Sequence, residues 1–369
     1  MPNSRNNSRV RFVVPVLVLV GFALVGATSM TIAARQRSAA PPAAPATPAA
    51  AIARTVTSAN AFLGLLDPAQ RAKAAYPFDS PQKTNWSNLP TGIYQRNSLR
   101  LGDLTAPQRE AVLALMSTVL SRDGYQKITN IMNGDEVLKN QGGGRTGGRP
   151  GGGGRGGGLV FGKDEYYIAI LGTPSTTTPW MIQFGGHHLG INVTMAGGHG
   201  VITPSLPAAQ PATYTLNGET IRPLGKENDK AFALINALDA GQRSQAVLKY
   251  EVRDLVLGPL ADGKTIAPEG ILASALNASQ QSMLLDVAHE WVGILNDAAA
   301  AERMAEIRAN LAKTYFAWSG STTNGELAYY RIQGPTLVIE YAPQQGDLQH
   351  IHTIYRDPTN DYGAGLVKR

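Results

Sequence analysis

The sequence predicts an α+β fold of two related halves, each a set of capped helices followed by a small antiparallel sheet, packed together. Three observations carry this. First, one helix-start pattern occurs four times: Leu66-Asp67-Pro68-Ala69-Gln70-Arg71, Leu104-Thr105-Ala106-Pro107-Gln108-Arg109, Leu238-Asp239-Ala240-Gly241-Gln242-Arg243 and Leu276-Asn277-Ala278-Ser279-Gln280-Gln281. Each sets Asp, Thr or Asn three residues before a Gln, the spacing at which side-chain oxygen and Gln satisfy the first free helix amides reciprocally. Second, the spacings repeat. Leu66 to Leu238 and Leu104 to Leu276 are both 172 positions, while Tyr167 and Tyr315, Gly172 and Gly320, Gly186 and Gly334, Leu189 and Leu337, and Ile191 and Ile339 lie 148 apart. Third, short β-rich runs bounded by turn residues follow the helices in both halves. We read an internal duplication.

Taken in order, Arg5, Arg9 and Arg11 precede an uncharged stretch over 12–34 whose apolar heart is FVVPVLVLVGFALVGA. A basic start and an apolar run predict a signal peptide or signal anchor over 1–34, with Val25-Gly26-Ala27 a small-residue cleavage site. At 1.5 Å per residue the uncharged stretch reaches roughly 34 Å as a helix, enough to cross a bilayer. The expected location is therefore exported: periplasmic or extracellular if cleaved, or held to the cytoplasmic membrane through the N-terminal segment if not. Residues 35–54 are Ala/Pro-rich and read as an extended linker. The folded domain is expected over 55–363, with halves at about 55–205 and 228–357.

After each cap, apolar residues return at helical spacing, as in Ala111, Leu115, Val119 and in Leu284, Ala288, Trp291, Leu295. Pro68 falls at the first helical position, where a missing N–H costs nothing. Strands are expected over 166–171, 180–184, 188–195, 315–318, 328–333, 336–341 and 350–355, with turns at Gly185-Gly186 and Gly334-Pro335. The change of offset from 172 to 148 gives the first half 24 extra residues between helices and strands. The tract GGGRTGGRPGGGGRGGG at 142–158 falls in that interval and reads as a disordered insert.

Charge and composition then exclude several classes. The chain of 369 residues has 33 Lys+Arg, 27 Asp+Glu and no cysteine. Zero cysteine removes disulfide scaffolds, zinc fingers, iron–sulfur sites and thiol nucleophiles. Residues 1–54 and 142–158 hold nine arginines and no acid, so the rest carries 24 basic against 27 acidic groups. A slightly acidic body argues against a nucleic-acid partner. Gly258-Pro259-Leu260-Ala261-Asp262-Gly263-Lys264-Thr265 matches the phosphate-loop pattern, but Ile266-Ala267-Pro268-Glu269-Gly270 follows where a helix must begin, so no nucleotide site is expected. His289-Glu290-Trp291-Val292-Gly293 lacks the second histidine of a metalloprotease helix.

Five of six histidines fall in strand or loop segments: His187, His188, His199, His350 and His352. On a strand, His350 and His352 share one face, whereas His187 and His188 point opposite ways, so one of that pair would join them. Two imidazoles from one segment and one from another, with Glu340 as a carboxylate, form a candidate set for a divalent metal: His188, His350, His352 and Glu340. His187, His188, His350, His352 and Asp357 are the candidate catalytic residues. In the run Arg356-Asp357-Pro358-Thr359-Asn360-Asp361-Tyr362-Gly363, turn formation with a paired Arg356 is the competing reading.

Pro179-Trp180-Met181-Ile182-Gln183-Phe184-Gly185-Gly186-His187-His188-Leu189, Tyr329-Tyr330-Arg331-Ile332-Gln333-Gly334-Pro335, and the run from His350 through Gly363 together resemble domain-of-unknown-function family 3500 (DUF3500). Trp86, Ser121-Arg122-Asp123-Gly124-Tyr125 and Trp318-Ser319-Gly320 also fit it, so the resemblance covers roughly 55–363. It implies the fold and an exported location, and leaves the chemistry open. The family often has an acid before Gly-His-His, where this chain has Gly185. Two functions follow as expectations. One is a His-based, metal-dependent, hydrolase-like enzyme of the cell envelope or exterior. The other is a non-catalytic envelope binding module that uses Trp180, Trp318, Tyr329 and Tyr330 as packing or recognition surface.

Overall fold

The computed structural model describes residues 47–142 and 158–367. The predicted signal segment and nearly all of the glycine tract lie outside the described residues. The first half runs α1 (Pro48–Gly64), α2 (Pro68–Ala74), β1 (Ala75–Tyr76), β2 (Leu99–Arg100), α3 (Ala106–Val119), α4 (Arg122–Asn140), β3 (Tyr167–Leu171), β4 (Trp180–Gly186), β5 (Leu189–Ala196), β6 (His199–Val201) and β7 (Ser205–Pro207). A small hairpin of β8 (Tyr214–Leu216) and β9 (Glu219–Ile221) leads to the second half. That half runs α5 (Gly225–Ala237), α6 (Ala240–Ala246), β10 (Ile271–Leu272), α7 (Ala278–Val292), α8 (Asp297–Ala309), β11 (Tyr315–Gly320), β12 (Ala328–Gly334), β13 (Leu337–Pro343) and β14 (Ile351–Arg356), before a last turn, α9 (Ala364–Val367).

The fold is mixed α and β, with one large, mostly antiparallel sheet. Among the described residues its order is β1-β3-β4-β5-β7-β14-β13-β12-β11-β10, with β2 on β3 and β6 on β5. The two halves meet inside this sheet, where Tyr355 of β14 pairs with Ser205 of β7. Helices cover one face. Trp318, Tyr330 and Tyr341 stack across β11, β12 and β13, and Trp291 of α7 packs edge-on against Tyr330 and donates its indole N–H to Thr353 Oγ1 at 2.9 Å. Irregular segments cover the other face. The ring of Trp86 lies where a Cβ on Gly190 would stand, and the backbone N–H groups of Val256 and Leu257 cap Glu340.

Helix starts follow the chemistry of their first residues. Asp67, Thr105, Asp239 and Asn277 each accept from the amide three residues on, and the Gln there returns the bond. The same glutamines bond in pairs, Gln70 with Gln108 and Gln242 with Gln280, so one side chain both caps a helix and ties it to the next.

Four expectations need correction. The linker does not run to residue 54: α1 starts at Pro48, where Thr47 caps it, and Ala51 and Ile52 are buried against the core. The β4–β5 turn is His187-His188, not Gly185-Gly186, because both glycines pair within the ladder, Gly185 with Gly190 and Gly186 with Leu189. The second-half turn shifts likewise to Pro335-Thr336, since Gly334 pairs with Leu337. Finally, Trp180, Trp318, Tyr329 and Tyr330 are at most 1 % exposed, which makes them core and removes them as a recognition surface.

Candidate metal centre

Because the turn at His187-His188 lies between two paired strands, its geometry is tight. His188 takes the left-handed conformation, φ 59°, and its backbone is held on both sides: its N–H donates to Asn88 O and its carbonyl accepts from Ala208. This turns the ring toward the start of β14. There His350, just before the strand, and His352, within it, present their rings to the same point. His188 Nε2 stands 2.8 Å from His350 Nε2, which stands 3.1 Å from His352 Nε2. One nitrogen from each of the three lies within 4.8 Å of the others.

Those contacts cannot all be hydrogen bonds. Two imidazole nitrogens need one proton between them, and His350 Nε2 faces two partners at once. Moreover, Asp254 Oδ1 accepts from His352 Nδ1 at 2.9 Å, which fixes the proton on Nδ1 and leaves Nε2 as a lone pair. The charge states of His188 and His350 agree. Burial, then the neighbouring His187, His352 and His350, push His188 well below the usual histidine range. Burial, then His352 and His187, bring His350 down to about 4. Neutral imidazoles with converging lone pairs are the form in which histidine binds metal. Ligation at ~2.0–2.1 Å in a tetrahedron would set nitrogens about 3.3 Å apart, close to the spacing here. The donor set therefore fits a divalent ion of the kind that imidazole favours.

The remaining candidates fall elsewhere. His187 does not point away from His188 as neighbours on a strand would, because both sit in the turn, and it is buried beside it. Its Nδ1 stands 2.6 Å from Asp135 Oδ1 and its ring lies 3.7 Å, centroid to centroid, from that of His188. Asp135, from α4, thus buttresses the cluster without entering it. Glu340 is not beside the histidines: it is fully buried, and its two oxygens accept from Val256, Leu257 and Tyr329. Asp357 is also apart. It pairs with Arg303 at 3.0 Å and accepts from Thr359, while Arg356 pairs with Asp262 and Asp361, which is the turn-and-pairing reading of that run. Asp262 in the phosphate-loop look-alike is consumed by the same pairing, and no helix follows Lys264. His199 pairs with Glu302 at the surface, and His289 is exposed on α7.

Two residues at the centre, Asp254 and Asn88, had no signal in the sequence. Asp254 lies in an irregular segment, partly buried. Burial pushes its carboxyl up, but the hydrogen bonds it accepts from His352 and from the Leu255 N–H hold it below its ordinary value. Asn88 comes from the segment that covers the first half's sheet, and its Nδ2 stands 3.3 Å from His352 Nε2.

A cleft of about 540 Å³ opens at the ends of β11, β12 and β13, and neither the three histidines nor Asp254 lines it. Its walls include Glu251, Arg253, Ser319, Ser321 and Gln345. The segment that carries Arg253 continues directly into Asp254.

Fold and cluster together define an α+β protein with a three-imidazole centre where its two halves meet. More particularly, the chain belongs to the family described as Protein of unknown function (DUF3500), whose pattern matches residues 48–364. No curated protein and no solved structure matches it. Among the described residues no helix is long and apolar enough to cross a membrane.

Proposed function

We propose that this is an exported, metal-dependent hydrolase of the cell envelope or exterior, with His188, His350 and His352 as its metal ligands. The observation that carries the reading is the convergence of three imidazole Nε2 atoms on one point, with the His352 tautomer set by Asp254. A divalent ion held by these residues would supply Lewis acidity and lower the pKa of water. The chain's own residues do the rest. Asp254 orients His352, Asp135 and Phe161 hold His187 in place against His188, and the cleft lined by Arg253, next in sequence to Asp254, receives the substrate. Glu340 and Asp357 take no part, being spent on backbone amides and on Arg303. The arginine-flanked apolar segment at the N-terminus supports export. We also propose that the halves are copies of one unit, supported by the matched capping glutamines and the repeated offsets.

The same cleft favours a second reading, a binding module in which the histidines are structural. Elemental analysis of the purified protein separates the two. We expect one divalent ion per chain, lost in a His350→Ala/His352→Ala variant that still folds. No ion in the wild type, with the variant simply unfolding, would leave the binding module. For export, residues 1–60 fused to a reporter active only outside the cytoplasm should give activity, and a silent fusion sinks that part.

A further inference from the structure

We propose that Asn88 is the fourth protein ligand of this centre, supplying its side-chain carbonyl oxygen beside the three imidazoles. The inference rests on the metal reading above and adds a residue that neither motif nor spacing singles out. Asn88 is 8 % exposed, and its backbone carbonyl already accepts from His188, so its position relative to the cluster is set by the chain itself. Its Nδ2 now stands 3.3 Å from His352 Nε2. That contact uses the lone pair on which a cation depends, because Asp254 holds the His352 proton on Nδ1. One lone pair cannot serve both an N–H and a metal ion. A half-turn of the planar amide resolves the conflict: it exchanges Nδ2 for Oδ1 at the same place, removes a donor from the cation's position and brings an acceptor to it. The ligand set then becomes three imidazoles and one amide oxygen, all neutral, leaving the full charge of a first-row divalent ion to act on a bound water or substrate carbonyl. It also draws Asn88 and His188 from the first half, and His350 and His352 from the second.

Two opposite consequences separate a ligand from a bystander. If Asn88 merely donates to His352, its removal frees the lone pair and metal binds more tightly. If it ligates, removal weakens binding. The test titrates Co²⁺ into metal-stripped wild type, Asn88→Ala and Asn88→Asp proteins, following visible absorption bands and calorimetric affinity. We expect Asn88→Ala to bind about tenfold more weakly or worse, with altered bands. Asn88→Asp, nearly the same shape and negatively charged, should bind more tightly than wild type. Unchanged or tighter binding by Asn88→Ala, or no gain in Asn88→Asp, overturns the assignment. A wild type that takes up no Co²⁺ fails at the histidines instead, which is a distinct result. Matching circular dichroism of the three proteins confirms that affinity, not folding, is being read.

Discussion

At the scale of single residues, the centre shows how a loop side chain decides what a strand side chain can do. His352 would be an ambiguous imidazole without Asp254, and the hydrogen bond at 2.9 Å makes Nε2 the available nitrogen. Replacing Asp254 by Asn keeps the shape and loses the charge that holds the proton on Nδ1. Metal affinity should fall about 10- to 100-fold with the fold intact, as measured by calorimetry. Equal affinity would mean that the carboxylate does not orient the ring. The sequence pointed to His188, His350 and His352 through spacing alone, because two histidines two positions apart must share a strand face. It pointed wrongly to Glu340, a residue of suitable chemistry on a neighbouring strand, since spacing cannot reveal that two backbone amides and a tyrosine had already claimed its oxygens. Asp254 and Asn88 lie in irregular segments with no period to expose them.

At the scale of elements, the boundaries that carried strong local chemistry came out close to expectation. Each of the four cap sequences begins a helix, and the seven long strand runs all occur, with ends displaced by a few residues at most. The displacements have physical causes. Glycine was read as turn, but at Gly185 and Gly186 it serves close approach instead: a Cβ on either would meet backbone atoms of Leu189 or Glu165. The strand that joins the halves, β7, is only three residues long and ends in proline, so it had no signature. Gly124, in α4, makes a related demand. Its Cα faces the carbonyl of Ile294 so closely that a Cβ would stand 2.2 Å from that oxygen, while Ser121 donates to Gly293 O and its N–H to Ile294 O. A backbone atom cannot step aside as a side chain can. We expect Gly124→Ala to cost about 1–3 kcal/mol in denaturant unfolding, even though alanine is the better helix former. A neutral or stabilising result would show that this helix contact is loose.

At the scale of the whole molecule, the halves are joined by more than the sheet. Lys127 of α4 reaches into the second half, where its Nζ bonds Glu227 Oε1 at 2.5 Å and the carbonyl of Glu290. Glu227 is fully buried. Burial pushes its carboxyl up from the ordinary value of 4.5; Lys127 pulls it back only in part, and Glu290 adds to the push. A carboxyl with a raised value in the folded state binds its proton more tightly there than when unfolded. Its contribution to stability is therefore complete below 4.5 and is lost as pH climbs through the raised value. Glu227→Gln lacks this loss. The stability of the variant minus that of the wild type should rise with pH above 4.5, and a flat difference in urea melts across pH 4–8 would refute it.

His188 and His350 are 162 positions apart in the chain, yet their ring centroids lie 4.6 Å from each other. In an unfolded chain, bringing these rings together means closing a loop of that length, at a cost of about 5 kcal/mol by the chain statistics used for disulfides. An ion chelated here, as proposed above, would therefore discriminate sharply between assembled and unassembled chain, and its binding energy would become folding energy. With the proposed ion bound, the centre would act as a clasp that fastens only after both halves have found each other, and metal occupancy would also be a record of completed assembly.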